Sequence, residues 1–546
     1  MAATKLVLKE IPGYVKLPGS CEQRILTFGD FRMIVLSCRS YFRRFSKRIG
    51  FFLLLSFPYA AVAPALAQHR DLNMVGRPIP PMPADAAIVD ALQHISAARI
   101  QQTIDKLVSF HTRSTLSMMD TDLPPGQGIR PAIDWVTAQF KAYSQACGGC
   151  LVVRHASYTQ MPGKTGYLKR IPGPTIITDT YAILKGTDPA QANRVLLVSG
   201  HLDSRDSDNF DSHGAAPGAN DDGSGTAVTL ECARVLSKMR FPATLVFVVE
   251  DGEEQGLFGS KYMAEQAKKW GWQIEGVLNN DIVGGDTTPG HTTLQDLHVV
   301  RLFSEPVPAD ATPQQIRELL MLGYDSDSPS RELARAVVNV ARTYTEADGE
   351  QNGETPATAL RPILEFRLDR FLRGGDHYSF NQEGFAAVRF TEWRENFHHQ
   401  HQNVRVQNGI QYGDLPQFVN FPYVARVARL NAASMASLAT APPPPTGVKI
   451  VVSKLDNNST LQWKAGAGAP SSTRYWIVWR PTASPDWTRE IPAEKLAGVK
   501  NGAYQASPDG SYTATLPISK DNVIFGVESV GPHGQRSLAV VPMPTR

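Results

Sequence analysis

Val195-Leu-Leu-Val-Ser-Gly-His201-Leu-Asp203, then Gly218-Ala-Asn-Asp221-Asp222-Gly-Ser-Gly225, then Thr244-Leu-Val-Phe-Val-Val-Glu-Asp-Gly-Glu253-Glu254, then Val277-Leu-Asn-Asn-Asp281: this stretch decides the fold. Three apolar runs, 195–198, 245–249 and 276–278, each end at their carboxyl side in His or acidic residues. Continuous apolar runs of that length fit parallel strands buried on both faces. In open α/β sheets functional groups gather beyond the carboxyl ends of the strands, so residues far apart in sequence converge there. The stretch therefore predicts an α/β domain, a mostly parallel mixed sheet between layers of helices, with a cluster of metal-ligand residues at one sheet edge.

Each residue type has a chemical reason to be there. A neutral imidazole such as His201 binds Zn²⁺ through one nitrogen, and Asp203, two residues on, can accept the other N–H and fix the ring. Asp221 sits in a glycine-lined turn that lets backbone and metal approach closely, although an isolated Asp-Gly turn is more often a helix cap. Adjacent acids such as Glu253 and Glu254 at a buried sheet edge repel each other unless cations balance them. One can ligate a metal while its neighbour serves as general base. Asp281 adds another carboxylate from a neighbouring strand.

Upstream, apolar spacings of three and four predict two helices between Ala87 and Ala146, separated by the Pro124–Gly128 turn; 151–155 and 180–184 read as strands. Downstream, 224–236 reads as a helix, 386–390 as a last strand and 423–438 as a closing helix. Strand signals fade from Thr287 to Arg373, which predicts loops around a helix at 330–344, forming a lid or pocket wall. The histidine-rich His398-His399-Gln400-His401 follows the last strand.

The chain has 546 residues, 42% hydrophobic and 20% charged, an ordinary globular composition. Its formal charge of +3 comes from the N-terminus: ten of the 55 basic and three of the 52 acidic residues lie in 1–67, and the remainder carries a net −4. No basic excess remains to suggest a nucleic-acid partner. Arg43, Arg44, Lys47 and Arg48 precede an apolar run, 51–63, and Ala65-Leu66-Ala67, the pattern of a cleavable signal peptide and of a secreted or periplasmic protein. The run is shorter than the ~20 residues of a spanning helix, so no stable membrane span is expected. Met33 would be the more natural start of such a signal, which points to an over-extended reading frame upstream. In an exported chain Cys147-Gly-Gly-Cys150 reads as a local disulfide and Cys232 as an inert core thiol.

Residues 69–83 read as an extended Pro-rich arm. Four consecutive prolines, 442–445, form a stiff linker. Beyond them, short alternating segments at 448–452, 460–463, 475–479, 512–516 and 523–530 predict an all-β sandwich. The expected organisation is a signal region over 1–67, an α/β domain over 68–440, a linker over 441–446 and a sandwich over 447–546.

The motifs Gly200-His201-Leu-Asp203, Gly218-Ala-Asn-Asp221-Asp222-Gly-Ser-Gly225, Glu253-Glu254-x-Gly256-Leu-x-Gly259-Ser260, Asn280-Asp281 and Asp376-His377 resemble those of the zinc peptidases of metallopeptidase family 28, which include secreted bacterial aminopeptidases. The resemblance covers about residues 90–438. It implies two Zn²⁺ ions per chain: one held by His201 and Asp281, a second by Glu254 and a late histidine, with Asp221 bridging both through a cis peptide to Asp222. The late histidine is assigned to His399, with His398 and His401 as the alternatives. Glu253 would be the general base acting on a metal-bridged water, Asp203 the partner of His201, and a peptide or protein the substrate. A glutaminyl cyclase or carboxypeptidase of the same fold, or a secreted binding protein with an inactive peptidase domain, are the rival readings. Val530-Gly531 to Ser537, with Trp463 and Tyr475, resembles a fibronectin type III module, a spacer or attachment domain.

Overall fold

In the computed structural model, which describes residues 21–28, 31–38, 75–289, 294–346 and 359–545, eight strands form one mixed sheet. In chain order they are β1 (Leu151–Gln160), β2 (Thr175–Leu184), β3 (Arg194–His201), β4 (Thr244–Glu250), β5 (Gln273–Asn280), β6 (Val299–Ser304), β7 (Arg361–Glu365) and β8 (Ala387–Thr391). Across the sheet the order is β7-β6-β8-β5-β3-β4-β2-β1. The centre is parallel: β3 pairs in parallel with β4 and β5, and β5 with β8. Antiparallel pairs lie outside it, β2 on β4, β1 on β2 and β6 on β8.

The apolar runs are buried on both faces because successive side chains point to opposite sides. Leu196, Val198, Leu245, Phe247 and Val249 enter one core, while Val195, Leu197, Val246 and Val248 enter another. The first core is closed by helices α1 (Ala86–Gln93), α2 (Ala97–Val108), α3 (Ile129–Ala146), α4 (Gly223–Leu236), α8 (Pro329–Tyr344) and α10 (Phe421–Thr440), which supply Ile104, Phe140, Val228, Val337 and Val427 among others. The second is closed by α6 (Phe258–Lys269) and α9 (His377–Gln382), through Met263, Ala264, Ala267 and Phe380. Each such side chain withdrawn from water contributes about 1.5–3 kcal/mol. Between these helices lie the short α5 (Glu253–Gly256), and α7 (Pro313–Leu322), which buries none of its residues.

The stretch 287–373 corrects the expectation of loops, since it contains β6 and β7 besides α7 and α8. In β6 the run is interrupted by Arg301, which reads as polar. Its guanidinium reaches beyond the sheet edge to the Glu392 carbonyl at 2.8 Å and the Glu395 carboxylate at 2.9 Å, so the strand keeps its pairing. The loop after β7 does wall the cavity described below. The pair Cys147–Cys150 is disulfide-bonded and Cys232 is free and buried.

The C-terminal part forms two sheets. Five strands order as Ala503–Ala506, Ser511–Leu516, Ser459–Lys464, Thr446–Val451 and Met543–Thr545; the other sheet orders as Val523–Val530, Arg474–Pro481, Arg489–Pro492 and Arg77–Pro78. Leu461, Trp463, Tyr475, Ile477, Trp479, Phe525 and Val527 fill the core between them. The last strand of the second sheet comes from the N-terminal arm, with Arg77 opposite Glu490 and Pro78 opposite Arg489. Pro has no N–H to give to a ladder and is tolerated at a sheet edge such as this. Of residues 1–67, which cluster as a separate unit, the described part is an antiparallel hairpin, Cys21–Phe28 with Phe31–Cys38. The basic and apolar run over 43–67 lies outside the described residues. No described helix is long and apolar enough to cross a membrane.

The α/β domain and the C-terminal sheets share a buried ionic junction. The Asp327 carboxylate accepts from Arg335 of α8 at 3.0 Å and from Arg480 of the second sheet at 2.6 Å, with all three side chains almost wholly buried. Trp487 donates its indole N–H to Glu332 at 2.9 Å beside them. Breaking a buried pair by removing one partner costs about 3–5 kcal/mol, because the other charge is left uncompensated. Asp327→Ala is therefore expected to lower stability by about that amount, measured as a shift of the urea unfolding midpoint. An unchanged midpoint would show that water or a neighbouring acid already neutralises the two guanidiniums.

Candidate metal centre

His201 is the last residue of β3, Glu250 ends β4 and Asn280 ends β5, so the residues just beyond these strands meet at one sheet edge. Two backbone approaches make this convergence possible. A Cβ on Gly200 would lie 2.4 Å from the Gly225 carbonyl carbon, and one on Gly225 would lie 2.1 Å from the Asn280 carbonyl oxygen. Only glycine leaves space at such contacts. Asp222 caps α4, its carboxylate accepting from Gly225 N at 2.8 Å and from His201 N at 3.0 Å. The Asp221–Asp222 peptide is cis.

Two groups of side chains result. His201, Glu253 and Asp281 converge, and beside them Asp221, Glu254 and His401, each group with potential ligand atoms within 4.8 Å of one another. His201 Nε2 lies 3.2 Å from Asp221 Oδ1 and 3.9 Å from Asp281 Oδ1. His401 Nε2 lies 2.9 Å from Asp221 Oδ2 and 3.0 Å from Glu254 Oε1. Asp221 thus presents one oxygen to each group. On its other side, the His201 ring has Nδ1 3.0 Å from the Asp203 carbonyl and 3.4 Å from its carboxylate. The same Asp203 carboxylate accepts from the backbone N–H of Glu253 (3.2 Å) and Glu254 (3.0 Å) and from Thr115 Oγ1 (3.0 Å), and so sets the turn that aims both glutamates.

The donor set fits a metal ion. His201 Nε2 and Asp281 Oδ1 are buried without hydrogen-bond partners, although each faces the cluster. Such atoms cost about 1–3 kcal/mol when left unmade. Burial alone would lower the pKa of both imidazoles, yet the carboxylates overrule it. Glu254 and Asp221 push His401 up to about 9, and Asp203 and Asp221 hold His201 well above its ordinary value. Burial pushes Glu253 well above the usual carboxylate range, with Asp281 and Glu254 adding to it. Four carboxylates around two imidazoles make a site that calls for added positive charge.

His399 is not part of this cluster, which corrects the assignment of the late histidine. Its Nδ1 lies 2.6 Å from the Asp286 carboxylate and its ring stacks on Phe418 with centroids 3.6 Å apart. The turn at 396–401 brings His401 to Asp221 and Glu254, and Gln400 donates to Asp221 Oδ2 at 2.9 Å. His398 packs near Tyr412. The sequence offers three histidines within four residues, where a shift of two positions exchanges one side chain for another. Asp376 and His377 are buried beneath the sheet edge, His377 Nε2 lying 2.9 Å from the Leu368 carbonyl.

Several residues that position the cluster carry no motif. The buried Arg113 donates to the carbonyls of Leu202, Pro217 and Gly218 at 2.6–2.8 Å, tying the loops before and after Asp203 together. Arg389 pairs with Asp281 Oδ2 at 2.9 Å and with Asp369 at 3.0 Å. Asp414 accepts from Asp221 N at 2.7 Å. Arg205 reaches Glu254 Oε2 at 2.9 Å and His401 Nδ1 at 2.6 Å. An isolated Arg or Asp gives no sequence signal of such a role.

An α/β sheet with this donor set at its carboxyl edge defines a metal-dependent hydrolase. Residues 179–410 match the model of peptidase family M28. A probable zinc metalloprotease of Pyrenophora teres is 38% identical over 94% of this chain and 99% of its own length, and one of Pyricularia oryzae is 41% identical over 86% and 87%. The chain belongs to the M28 family of zinc metallopeptidases. Among solved structures, it is similar to the LapA aminopeptidase of Legionella pneumophila (TM-score 0.44, 18% identity, 68% of this chain and 79% of that one). It is also similar to the glutaminyl cyclase of Macrostomum lignano (TM-score 0.43, 15% identity, 65% and 93%).

The geometry makes the two histidines separable. His401→Ala is expected to weaken zinc binding at least about tenfold in calorimetric titration, while His399→Ala leaves it within about twofold. The reverse order would return the ligand role to His399.

Proposed function

We propose that the chain is a secreted di-zinc aminopeptidase, removing N-terminal residues from peptides. The observation that carries this reading is the pair of adjacent three-residue groups, with Asp221 of one presenting its other oxygen to His201 of the other. On it, His201, Asp221, Glu254, Asp281 and His401 would hold the zinc, with His401 in the place first given to His399.

When bound, zinc polarises the scissile carbonyl and makes water acidic enough to attack near neutral pH. The remaining steps fall to the chain's own residues. Asp203 keeps His201 turned with Nε2 toward the cluster. Glu253, whose backbone is held by Asp203, takes a proton from the attacking water at its carboxylate and delivers it to the amine nitrogen as the C–N bond breaks.

Export rests on the basic and apolar pattern of residues 43–67, with cleavage after Ala67. We assign 68–440, apart from the arm strand Arg77–Pro78, to the peptidase domain and 447–546 to a fibronectin type III-like spacer after a Pro-rich linker. The two packed C-terminal sheets and their continuous core support the latter.

Glu253→Gln keeps the shape of the side chain but cannot take the proton. It is expected to lower kcat by about 10²–10⁴ with zinc content unchanged, measured on an unblocked peptide alongside metal analysis. Retained activity would remove Glu253 from the role of base. Chelation should abolish release of free amino acids, and zinc should restore it. A product of unchanged length, formed from peptides with N-terminal Gln, would identify a cyclase instead.

A further inference from the structure

The cavity over the cluster, about 320 Å³, is lined by four arginines: Arg170, Arg205, Arg370 and Arg373. Two of them are committed to acids. Arg205 pairs with Glu254, and Arg370 with Asp369 and Glu395. The other two are not. Arg170 donates to the Glu254 carbonyl at 2.8 Å and lies 4.8 Å over the Tyr167 ring, with no carboxylate among the described residues within ion-pair distance. Arg373 is exposed, and its side chain has no partner among the described residues. They stand on different loops, so Arg170 on one and Arg370 and Arg373 on the other put like charge around one cavity.

The acids of that lining are Asp221, Glu253, Glu254 and Asp281, all members of the cluster. Filling the cluster with cations would consume their charge, and no other acid in the lining faces Arg170 and Arg373. A planar guanidinium fork is matched by a carboxylate, which it binds through two parallel, charge-assisted hydrogen bonds. Apart from the Glu254 carbonyl and the Tyr167 ring against Arg170, nothing among the described residues of the lining answers these two arginines.

We propose that the substrate carries a carboxylate close to the scissile bond, held by Arg170 and Arg373. The inference rests on the peptidase reading above and adds the class of substrate. Two sources supply that chemistry: an acidic side chain on the residue being removed, or the α-carboxylate of a chain end.

The test uses the full zinc-loaded chain and three sets of peptides. Asp-Ala-Phe-amide against Asn-Ala-Phe-amide reads the side chain. Ala-Phe, in which the α-carboxylate lies one residue from the scissile bond, against its amide reads the chain end. Leu-Ala-Phe-amide reads peptidase activity itself. The charged member of one pair is expected to exceed its neutral partner in kcat/KM by about tenfold or more, with a KM that rises with salt, and the pair that does so names the source. Arg170→Gln and Arg373→Gln should each bring that ratio toward one. Ratios within about twofold of one in both pairs, or a ratio that survives both substitutions, would overturn the inference while hydrolysis of Leu-Ala-Phe-amide upholds the peptidase reading. Failure to cleave any of the peptides would overturn both.

Discussion

Charge balance in a buried space is the constraint on which this structure depends. Asp203, Asp221, Asp222, Glu254 and Asp281 are all almost fully buried at one sheet edge. Carboxylates removed from water in such number are tolerated only with cations or hydrogen-bond donors around them. The chain supplies some of both. Arg389 answers Asp281, backbone N–H groups answer Asp203, Asp222 and Asp414, and Asn280 is locked to Asn431 of α10 by two side-chain hydrogen bonds of 2.8 and 3.0 Å. What is left unanswered, on His201 Nε2 and Asp281 Oδ1, faces the centre, where a zinc metallopeptidase needs its metal.

The fold meets that constraint by dividing labour. The parallel strands β3, β4 and β5 carry apolar residues into two cores and release polar residues only at their carboxyl ends, so rigidity and chemistry do not compete for the same positions. Arg113, Asp414 and Arg389 then fix loops from distant parts of the chain to that edge. Their contacts are mostly with backbone carbonyls and N–H groups, which hold a loop's path whatever its other side chains are. The C-terminal sheets are joined to the same body through Asp327, Arg335 and Arg480, and completed by Arg77–Pro78 from the far end of the chain. The N-terminal arm and C-terminal sheets are therefore one structural element, although more than 350 residues separate them.

Much was legible in the sequence for a physical reason: an apolar run ending in ligand-type residues is a local pattern, and burial acts on it directly. The runs 195–198 and 245–249 lie in the strands they predicted, and the helices at 224–236, 330–344 and 423–438 follow their spacing. So do the glycines around Asp221, since close backbone approach excludes every larger residue. The strands β6 and β7 were not legible. Their length is marginal, an arginine interrupts one of them, and they are held by pairing with β8 and with each other rather than by their own pattern. The edge strand Arg77–Pro78 was hidden likewise, because a two-residue strand exists only through its partner.

The sequence by itself determined which residue types would meet and at which ends of which strands, because hydrophobic periodicity and glycine placement are written in neighbouring positions. It determined the set His201, Asp203, Asp221, Glu253, Glu254 and Asp281 in that way. Only the tertiary structure decided that His401 stands beside Asp221 and Glu254, and that His399 turns away to Asp286 and Phe418. It also decided that Arg170 and Arg373 face one cavity. Those choices depend on the path of loops between strands, and a loop's path is set by what it packs against, more than a hundred residues away in the chain.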